Sequence, residues 1–257
     1  MSNVKTTKKR IIIPSRLEST RLPNKPLLDI CGKPMIQHVY ERALKCNFSS
    51  VVIATDSEKV RDIAEGFGAQ VCMTSKNHAS GTDRLSEAVN ILGYADEDVI
   101  VNLQGDEPLI PIDSVLDVTN SLINNKLAEM STLCEEIDTL EEVFNPNNVK
   151  VVLDKNSYAL YFSRSAIPWD RATFPHKINT SHQYYKHIGL YAYRASFLKD
   201  YFKLNKSTYE SIEMLEQLRI LWHGYKIYVG VFKGDSVIGV DTDLDLERVR
   251  SIFKLRY

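Results

Sequence analysis

The sequence predicts an α/β fold built on a mostly parallel sheet, and the first third of the chain indicates it. Short apolar runs at residues 11–13, 51–54 and 69–73 are typical of buried strands. Between them lie stretches in which apolar residues recur at helical spacing. This alternation of strand and helix favours parallel strands with helices packed on the faces of the sheet.

The first two helices are predicted from their ends and their apolar residues. Proline suits a first helical turn, so the first helix is expected to begin near Pro34. Thr55-Asp56-Ser57 can cap the second helix, and Gly68 can end it. The apolar positions are Ile36, Val39, Tyr40, Ala43 and Leu44 in the first helix, and Val60, Ile63, Ala64 and Phe67 in the second.

A third helix is predicted to open within His78-Ala79-Ser80-Gly81-Thr82-Asp83-Arg84. Either Ser80 or Thr82 can cap this helix, and Gly93 can end it. A helix start preceded by glycine suits an anionic or polar ligand. By itself, however, the segment is more typical of an ordinary capped helix.

Residues 99–103 form the clearest buried strand and lead into Gln104-Gly105-Asp106-Glu107-Pro108. Ligands of open α/β sheets bind at the carboxyl ends of the strands. A carboxylate at that edge, such as Asp106, is therefore suited to hold magnesium together with phosphate oxygens and water. An isolated Gly-Asp pair is more often an ordinary turn, so this alternative stays open.

The pattern changes between about residues 130 and 193. Strands are predicted at 130–134, 149–153, 158–162 and 188–193, with a hairpin-like turn at 154–157 and a loop at 164–181. These features indicate a mixed or antiparallel subdomain inserted into the parallel fold. Exposed strands in such an insertion could pair across a dimer interface.

The last part of the chain returns to helices. A helix is predicted at 195–202, and a strand at 227–232. Between them, a longer helix ending at Gly224 is predicted from the apolar residues Ile212, Leu215, Leu218, Leu221 and Trp222. A final helix follows Gly239-Val240-Asp241-Thr242-Asp243, where Thr242 and Asp245 resemble a capping box. Asp241 can serve the helix start or act as a metal ligand, and its spacing does not decide between them.

Composition limits the function classes. The chain has 257 residues, and its 32 basic and 33 acidic residues give a formal charge of -1, which argues against a nucleic-acid coat or a polybasic membrane anchor. No apolar stretch follows the basic residues near the start, so this segment is not expected to be a secretory signal. Residues 1–10 are interpreted as a tail and residues 11–257 as one domain. Cys31, Cys46, Cys72 and Cys134 lack C-x-x-C spacing, as expected of reduced thiols in a cytoplasmic protein.

A cationic loop at residues 14–26 is the most informative segment. It carries Arg16, Arg21 and Lys25 with Ser15, Ser19 and Thr20 between them, and it contains three prolines and no glycine. Since like charges repel, this cluster suits a strongly anionic ligand such as a triphosphate. The loop matches neither a P-loop nor a dinucleotide fingerprint, so side chains would make the phosphate contacts. A solvated basic loop is the alternative.

Eight ordered motifs together resemble the 3-deoxy-manno-octulosonate (Kdo) cytidylyltransferase family, and they cover nearly the whole chain after residue 10. The first is the cationic loop from Pro14 to Leu27, in which Asn24 replaces the family's usual glycine. The others are Ser80-Gly81-Thr82-Asp83-Arg84, Gln104-Gly105-Asp106-Glu107-Pro108, Tyr161-Phe162-Ser163-Arg164, Ile167-Pro168-Trp169, His187-Ile188-Gly189-Leu190-Tyr191, Leu215-Glu216-Gln217-Leu218-Arg219 and Gly239-Val240-Asp241-Thr242. Asparagine tolerates left-handed geometry, so the loop shape can survive.

The resemblance implies a three-layer, mostly parallel nucleotide-diphospho-sugar transferase-like fold with an inserted dimerisation subdomain. It also implies a homodimeric enzyme that uses CTP and Mg2+, with two ions expected, to make CMP-Kdo and pyrophosphate for lipopolysaccharide biosynthesis. The implied catalytic residues are Arg16, Lys25, Asp106 and Asp241, of which the two aspartates would hold metal. The implied CTP-binding residues are Arg16, Arg21, Lys25, Ser80, Arg84 and Gln104. The implied sugar-binding residues are Gln104, Arg164, His187, Tyr191, Glu216 and Gln217.

Three alternatives remain at the level of sequence. A sialic acid cytidylyltransferase shares the chemistry but has a different phosphate loop. A cytidylyltransferase for an 8-amino variant of Kdo keeps the fold and differs in its substrate. A catalytically silent nucleotide-binding regulator does not need both Asp106 and Asp241.

Overall fold

The computed structural model describes residues 6–18, 22–78, 80–179, 182–235 and 239–256. These residues form two compact units. The first unit contains the residues up to 116, residues 193–202 and those from 234 onwards, and the second contains 117–192 and 203–233. The second unit thus contains residues 130–192 of the insertion predicted at about 130–193, and it also contains 117–129 and 203–233.

The elements are numbered in chain order. The first half of the chain contains β1 (Lys9–Ser15), β2 (Asp29–Ile30), β3 (Lys33–Pro34), α1 (Met35–Leu44), β4 (Ser50–Thr55), α2 (Glu58–Gly66), β5 (Gln70–Met73), α3 (Gly81–Ile91), β6 (Val99–Asn102) and α4 (Ile112–Asn124). The second half contains β7 (Met130–Ile137), α5 (Leu140–Phe144), β8 (Lys150–Leu153), β9 (Ala159–Ser163), β10 (Tyr184–Arg194), α6 (Ala195–Tyr201), α7 (Thr208–Glu213), α8 (Gln217–Trp222), β11 (Ile227–Val231) and α9 (Asp243–Arg256).

The first unit is built on a parallel sheet in the order β6-β1-β4-β5. Ile11 pairs with Val51 and Ile13 with Ile53, and Ile11, Ile12 and Ile13 are all fully buried. Continuous burial of this kind is expected of a parallel strand whose two faces are both covered. The prediction of an α/β fold with a mostly parallel sheet is confirmed.

Side-chain caps begin two helices of the first unit as predicted. Ser57 Oγ accepts a hydrogen bond from Val60 N at 3.4 Å at the start of α2. Ser80 Oγ accepts one from Asp83 N at 3.1 Å, so Ser80 rather than Thr82 caps α3. Gly68 follows α2 with a φ of 84°, a conformation that costs glycine little.

The second unit has mixed strand pairing, as the sequence predicts. β7 pairs in parallel with β11, whereas β8 pairs antiparallel with both β9 and β10. A buried cluster of Ile137, Val143, Phe174 and Tyr184 packs part of this unit. The turn at 154–157 joins β8 and β9 as a hairpin, with Asp154 Oδ1 accepting from Asn156 N and Tyr158 N.

The long helix predicted between residues 212 and 222 is wrong. Two short helices, α7 and α8, replace it, and Met214 ends α7 in a left-handed conformation with a φ of 55°. Ile212 and Trp222 are 73% and 57% exposed, so the apolar positions do not form one buried face. A buried ion pair between Glu210 of α7 and Arg219 of α8, at 2.6 and 2.8 Å, links the two short helices instead.

Among the described residues, no helix is both long enough and apolar enough to cross a membrane.

Candidate active site

One cavity of about 720 Å3 in the first unit is lined by residues from the cationic loop, the start of α3 and the end of β6. It contains every predicted CTP-binding residue except Arg21, which lies outside the described residues. Those residues are Arg16, Lys25, Ser80, Arg84 and Gln104, and the two predicted metal ligands Asp106 and Asp241 line the same cavity.

Sheet geometry brings the cationic loop beside Asp106. β1 and β6 are parallel neighbours, so the segments that follow them leave the same edge of the sheet. Gly105 allows the close approach, because a Cβ at this position would lie 3.1 Å from the carbonyl oxygen of Pro14. With any other residue here, the neighbouring segment would have to move by a few tenths of an ångström.

Asp241 reaches this edge from the far end of the chain. Val240 N donates a hydrogen bond to Asp106 O at 2.9 Å, and Val240 is fully buried. It belongs to an apolar cluster that includes Leu246, Val249 and Phe253 of the last helix, α9. At the helix start, Asp245 Oδ2 accepts from Thr242 N at 2.9 Å, and Thr242 Oγ1 accepts from Asp245 N at 3.2 Å, which confirms the capping box.

Lys25 joins the two predicted metal ligands. Its Nζ lies 2.5 Å from Asp106 Oδ2 and 2.9 Å from Asp241 Oδ1. Asn24, just before it, is left-handed with a φ of 54° and starts a single 3-10 turn at Lys25–Leu27. Asparagine therefore adopts the left-handed conformation at the position where the family usually has glycine.

The carboxylates of Asp106 and Asp241 converge on the ammonium group of Lys25, so the space between the two carboxylates favours positive charge. Carboxylates are ligands that Mg2+ prefers, usually one or two of them with phosphate oxygens and water. Within the described part of the chain, no three His, Cys, Asp or Glu side chains are grouped to hold a metal. Asp106 and Asp241 thus fit a divalent cation that takes its remaining ligands from a nucleotide and water.

Glu107 adds a third carboxyl group, which was not predicted as a site residue. Its Oε2 atom is buried and has no hydrogen-bond partner among the described residues. Burial raises the pKa of Glu107 well above 4.5, Asp106 and Asp241 raise it further, and Lys25 opposes them. The only signal in the sequence is its place beside Asp106 in the motif at 104–108.

Arg84 and Ser80 are held by contacts within the protein. Arg84 is buried, and its Nη2 and Nη1 lie 2.8 Å from Asp56 Oδ2 and 2.5 Å from Thr74 Oγ1. Ser80 caps α3, as described above. Both line the cavity, but their side chains also have structural partners, so their contacts with a nucleotide stay a prediction.

His78 is a further cavity residue that the sequence analysis did not assign. Its Nε2 lies 2.5 Å from Glu87 Oε2, which also accepts a hydrogen bond from Ser75 N at 2.8 Å. Burial is the largest single influence on the pKa of Glu87 and raises it. The contact with His78 acts in the opposite direction, and the net pKa of Glu87 is lowered. These contacts hold the segment before α3 against the helix.

In the second unit, Arg164 is fixed in orientation. Its Nε donates to Glu213 O at 2.8 Å, its Nη1 to Pro146 O at 3.1 Å and its backbone N to Glu213 Oε2 at 2.9 Å. The left-handed Met214 ends α7 directly after Glu213. The break that the sequence missed thus lies beside the carbonyl group that orients Arg164.

His187 and Tyr191 are neighbours on β10, with ring centroids 5.4 Å apart. His187 Nε2 lies 2.9 Å from Thr132 Oγ1. Burial lowers the pKa of His187 to about 3, so the imidazole is neutral at physiological pH.

Glu216 and Gln217 lie at the start of α8. Gln217 is 4% exposed, and its Nε2 atom has no hydrogen-bond partner in the ranges that the structure describes. A buried amide donor without a partner is unusual in a folded protein and suits contact with a ligand. Four of the five sugar-binding residues predicted in this unit thus form two pairs of neighbours: His187 and Tyr191 on β10, and Glu216 and Gln217 at the start of α8.

Comparisons with known proteins identify the family of the chain. A cytidylyltransferase family model matches residues 10–227. A 3-deoxy-manno-octulosonate cytidylyltransferase of Francisella tularensis subsp. holarctica is 56% identical over 246 residues, which is 95% of this chain and 98% of the relative. One from Coxiella burnetii is 52% identical over 248 residues, covering 95% and 99%.

A solved structure supports membership of the same family. A CMP:2-keto-3-deoxy-manno-octonic acid synthetase complexed with CTP superposes with a TM-score of 0.88 at 42% identity, covering 98% of this chain and 100% of that one. A cytidylyltransferase of Leptospira borgpetersenii, at 21% identity and a TM-score of 0.64, shares the fold.

Proposed function

The chain belongs to the 3-deoxy-manno-octulosonate cytidylyltransferase family, and from this premise we propose which of its residues carry the reaction. The enzyme is a nucleotidyltransferase that transfers CMP from CTP to Kdo. The anomeric hydroxyl of Kdo attacks the α-phosphorus of CTP, and pyrophosphate leaves. The product, CMP-Kdo, supplies lipopolysaccharide biosynthesis.

The observation that carries the proposal is the meeting of Lys25, Asp106 and Asp241 in one cavity. We assign Arg16, Arg21 and Lys25 to the β- and γ-phosphates of CTP, where their positive charge stabilises the leaving pyrophosphate. Arg16 is exposed in the cavity, so its guanidinium is accessible to a phosphate. Ser80, Arg84 and Gln104 line the rest of the cavity and are assigned to the nucleoside.

Enzymes of this CTP-using family generally use a divalent metal. We propose that the metal is Mg2+, that two ions bind, and that Asp106 and Asp241 are their protein ligands. When bound, such ions supply positive charge against the attacking and leaving oxygens of a phosphoryl transfer. The support is the two carboxylates that already share one cation, Lys25 Nζ.

The second unit carries the side chains assigned to the sugar. Arg164 suits the Kdo carboxylate, because a guanidinium binds carboxylates in a two-pronged way and three of its five N–H groups are not used by the bonds described above. His187, Tyr191, Glu216 and Gln217 are assigned to the hydroxyls. The family resemblance also implies sugar binding by Gln104. The buried, unpartnered Gln217 Nε2 supports this assignment.

Two further parts of the proposal concern the setting of the enzyme. We propose a homodimer formed through the second unit, and the support is its exposed apolar side chains, Leu160 at 61% and Trp169 at 58%. We also propose a cytoplasmic enzyme, consistent with four cysteines that form no disulfide.

The test is a pyrophosphate-release assay with each nucleoside triphosphate against Kdo, its 8-amino analogue and sialic acid. CTP with Kdo should give the highest kcat/KM. A preference for the 8-amino analogue or for sialic acid would replace the assigned substrate. Absence of pyrophosphate release with every pair would favour a binding protein without catalysis.

A further inference from the structure

One buried hydroxyl determines which nitrogen of His187 carries the proton. Thr132 on β7 is fully buried, and its Oγ1 has three polar neighbours: His187 Nε2 at 2.9 Å, Leu190 O at 2.9 Å and Ile188 O at 3.0 Å. A threonine hydroxyl has one proton to donate and two lone pairs with which to accept. The two carbonyl oxygens can only accept.

Counting protons leaves one satisfactory arrangement. If His187 Nε2 had no proton, three acceptors would surround a hydroxyl that can donate once. If Nε2 carries the proton, it donates to Oγ1, and the hydroxyl donates to one of the carbonyls. Because unmatched buried acceptors are costly, the second arrangement is favoured.

The surroundings of the ring indicate that it is neutral. Phe162 packs against it edge-on, with ring centroids 5.0 Å apart. Burial disfavours the charged imidazolium and lowers the pKa of His187 to about 3. A neutral ring with a proton on Nε2 has a bare lone pair on Nδ1.

We propose that Thr132 is a positioning residue of the sugar site, which fixes His187 in the neutral Nε2–H tautomer so that Nδ1 acts as a hydrogen-bond acceptor. The inference rests on the proposed function for the identity of the ligand, a polyhydroxylated sugar acid. Nδ1 then accepts a hydrogen bond from a sugar hydroxyl, whereas its lone pair repels anionic oxygens such as those of a carboxylate. This directs the sugar carboxylate to Arg164 rather than to His187.

The first test reads the tautomer directly, with or without substrate. Long-range 1H–15N correlation spectra of the full-length protein with labelled histidine distinguish a protonated ring nitrogen from a bare one. A His187→Gln spectrum identifies the signals of His187 among the six histidines. The wild type at pH 7 should show Nε2 protonated and Nδ1 bare. Protonated Nδ1 would overturn the proposal, even if the enzyme uses Kdo.

The second test removes the hydroxyl. Thr132→Val should mix the two tautomers and raise KM for Kdo by about 3- to 10-fold, the effect of one neutral hydrogen bond, with KM for CTP unchanged. Thr132→Ser keeps the hydroxyl and should restore both the tautomer and KM, and circular dichroism checks that each variant is folded. An unchanged tautomer in folded Thr132→Val would overturn the role of Thr132. Failure of the proposed function would appear differently, as absence of turnover with Kdo in the wild type.

Discussion

At the scale of single residues, the site depends on charged groups that lie close together and on buried polar groups. Lys25 brings one positive charge to two carboxylates, and Glu107 adds a third carboxyl beside them. In the second unit, Gln217 has a buried donor without a partner among the described residues. Such groups are costly in a folded chain, and a ligand that completes them explains why they are present.

Lys25→Ala should reduce kcat/KM for CTP by about 100-fold or more. This is the size of the effect when a transition state loses one preorganised stabilising group. KM for Kdo should change little, because the proposal assigns the sugar to other side chains than Lys25. Lys33→Ala is the matched control, since the Lys33 side chain is 44% exposed and pairs with Glu41. Equal CTP kinetics in the two variants would show that Lys25 does not bind the nucleotide.

His187 predicts a specific loss of stability in acid. Its pKa falls from 6.5 to about 3 on folding, so the unfolded chain binds the proton more tightly. The free energy of unfolding therefore falls as pH falls from about 6.5 to about 3, by up to about 1.4 kcal/mol per pH unit from this group. Urea unfolding of wild type and His187→Gln across this range measures it. The variant should lose less stability, and parallel curves would contradict the lowered pKa.

At the scale of elements, helix starts could be predicted and one helix break could not. Ser57, Ser80 and Thr242 have the residue type and spacing of caps, and the structure confirms all three. The break at Met214 was missed because methionine gives no local sign of a left-handed conformation, and Ile212 before it and Leu215, Leu218 and Trp222 after it fit helical spacing. The contacts that accompany the break are the Glu210–Arg219 ion pair and those of Glu213 with Arg164, and local helical spacing does not predict them.

Lys150 of β8 makes a further prediction about support for Arg164. It is fully buried, and its Nζ donates to the carbonyl oxygens of Asn145, Asn148 and Arg164 at 2.5–2.8 Å. Lys150→Met should lower the free energy of unfolding by about 3 kcal/mol, because three partly buried carbonyl groups lose a charged donor. It should also raise KM for Kdo. Lys155→Met, at an exposed position in the hairpin turn, should stay within about 0.5 kcal/mol of wild type in urea unfolding. Equal stability of the two variants would contradict the role of Lys150.

At the scale of the whole molecule, the order of strands and helices follows from local sequence, whereas the site does not. Local patterns place Asp106 after a buried strand and Asp241 before a helix, but 216 residues separate Lys25 from Asp241. Their meeting depends on the neighbouring strands β1 and β6 and on the packing of α9. Only the resemblance to a family connected these positions. Glu107, Glu213 and Thr132 were missed because their roles come from tertiary contacts.

The most direct measurement of the central claim is the kcat of Asp106→Asn, Asp241→Asn and the double variant, with saturating CTP, Kdo and Mg2+. If the two carboxylates act together on one nucleotide, each single change should lower kcat by about 1,000-fold or more, and the double change should cost little beyond either one. Circular dichroism should show that all three remain folded. A single variant that is folded and within tenfold of wild type would contradict the account.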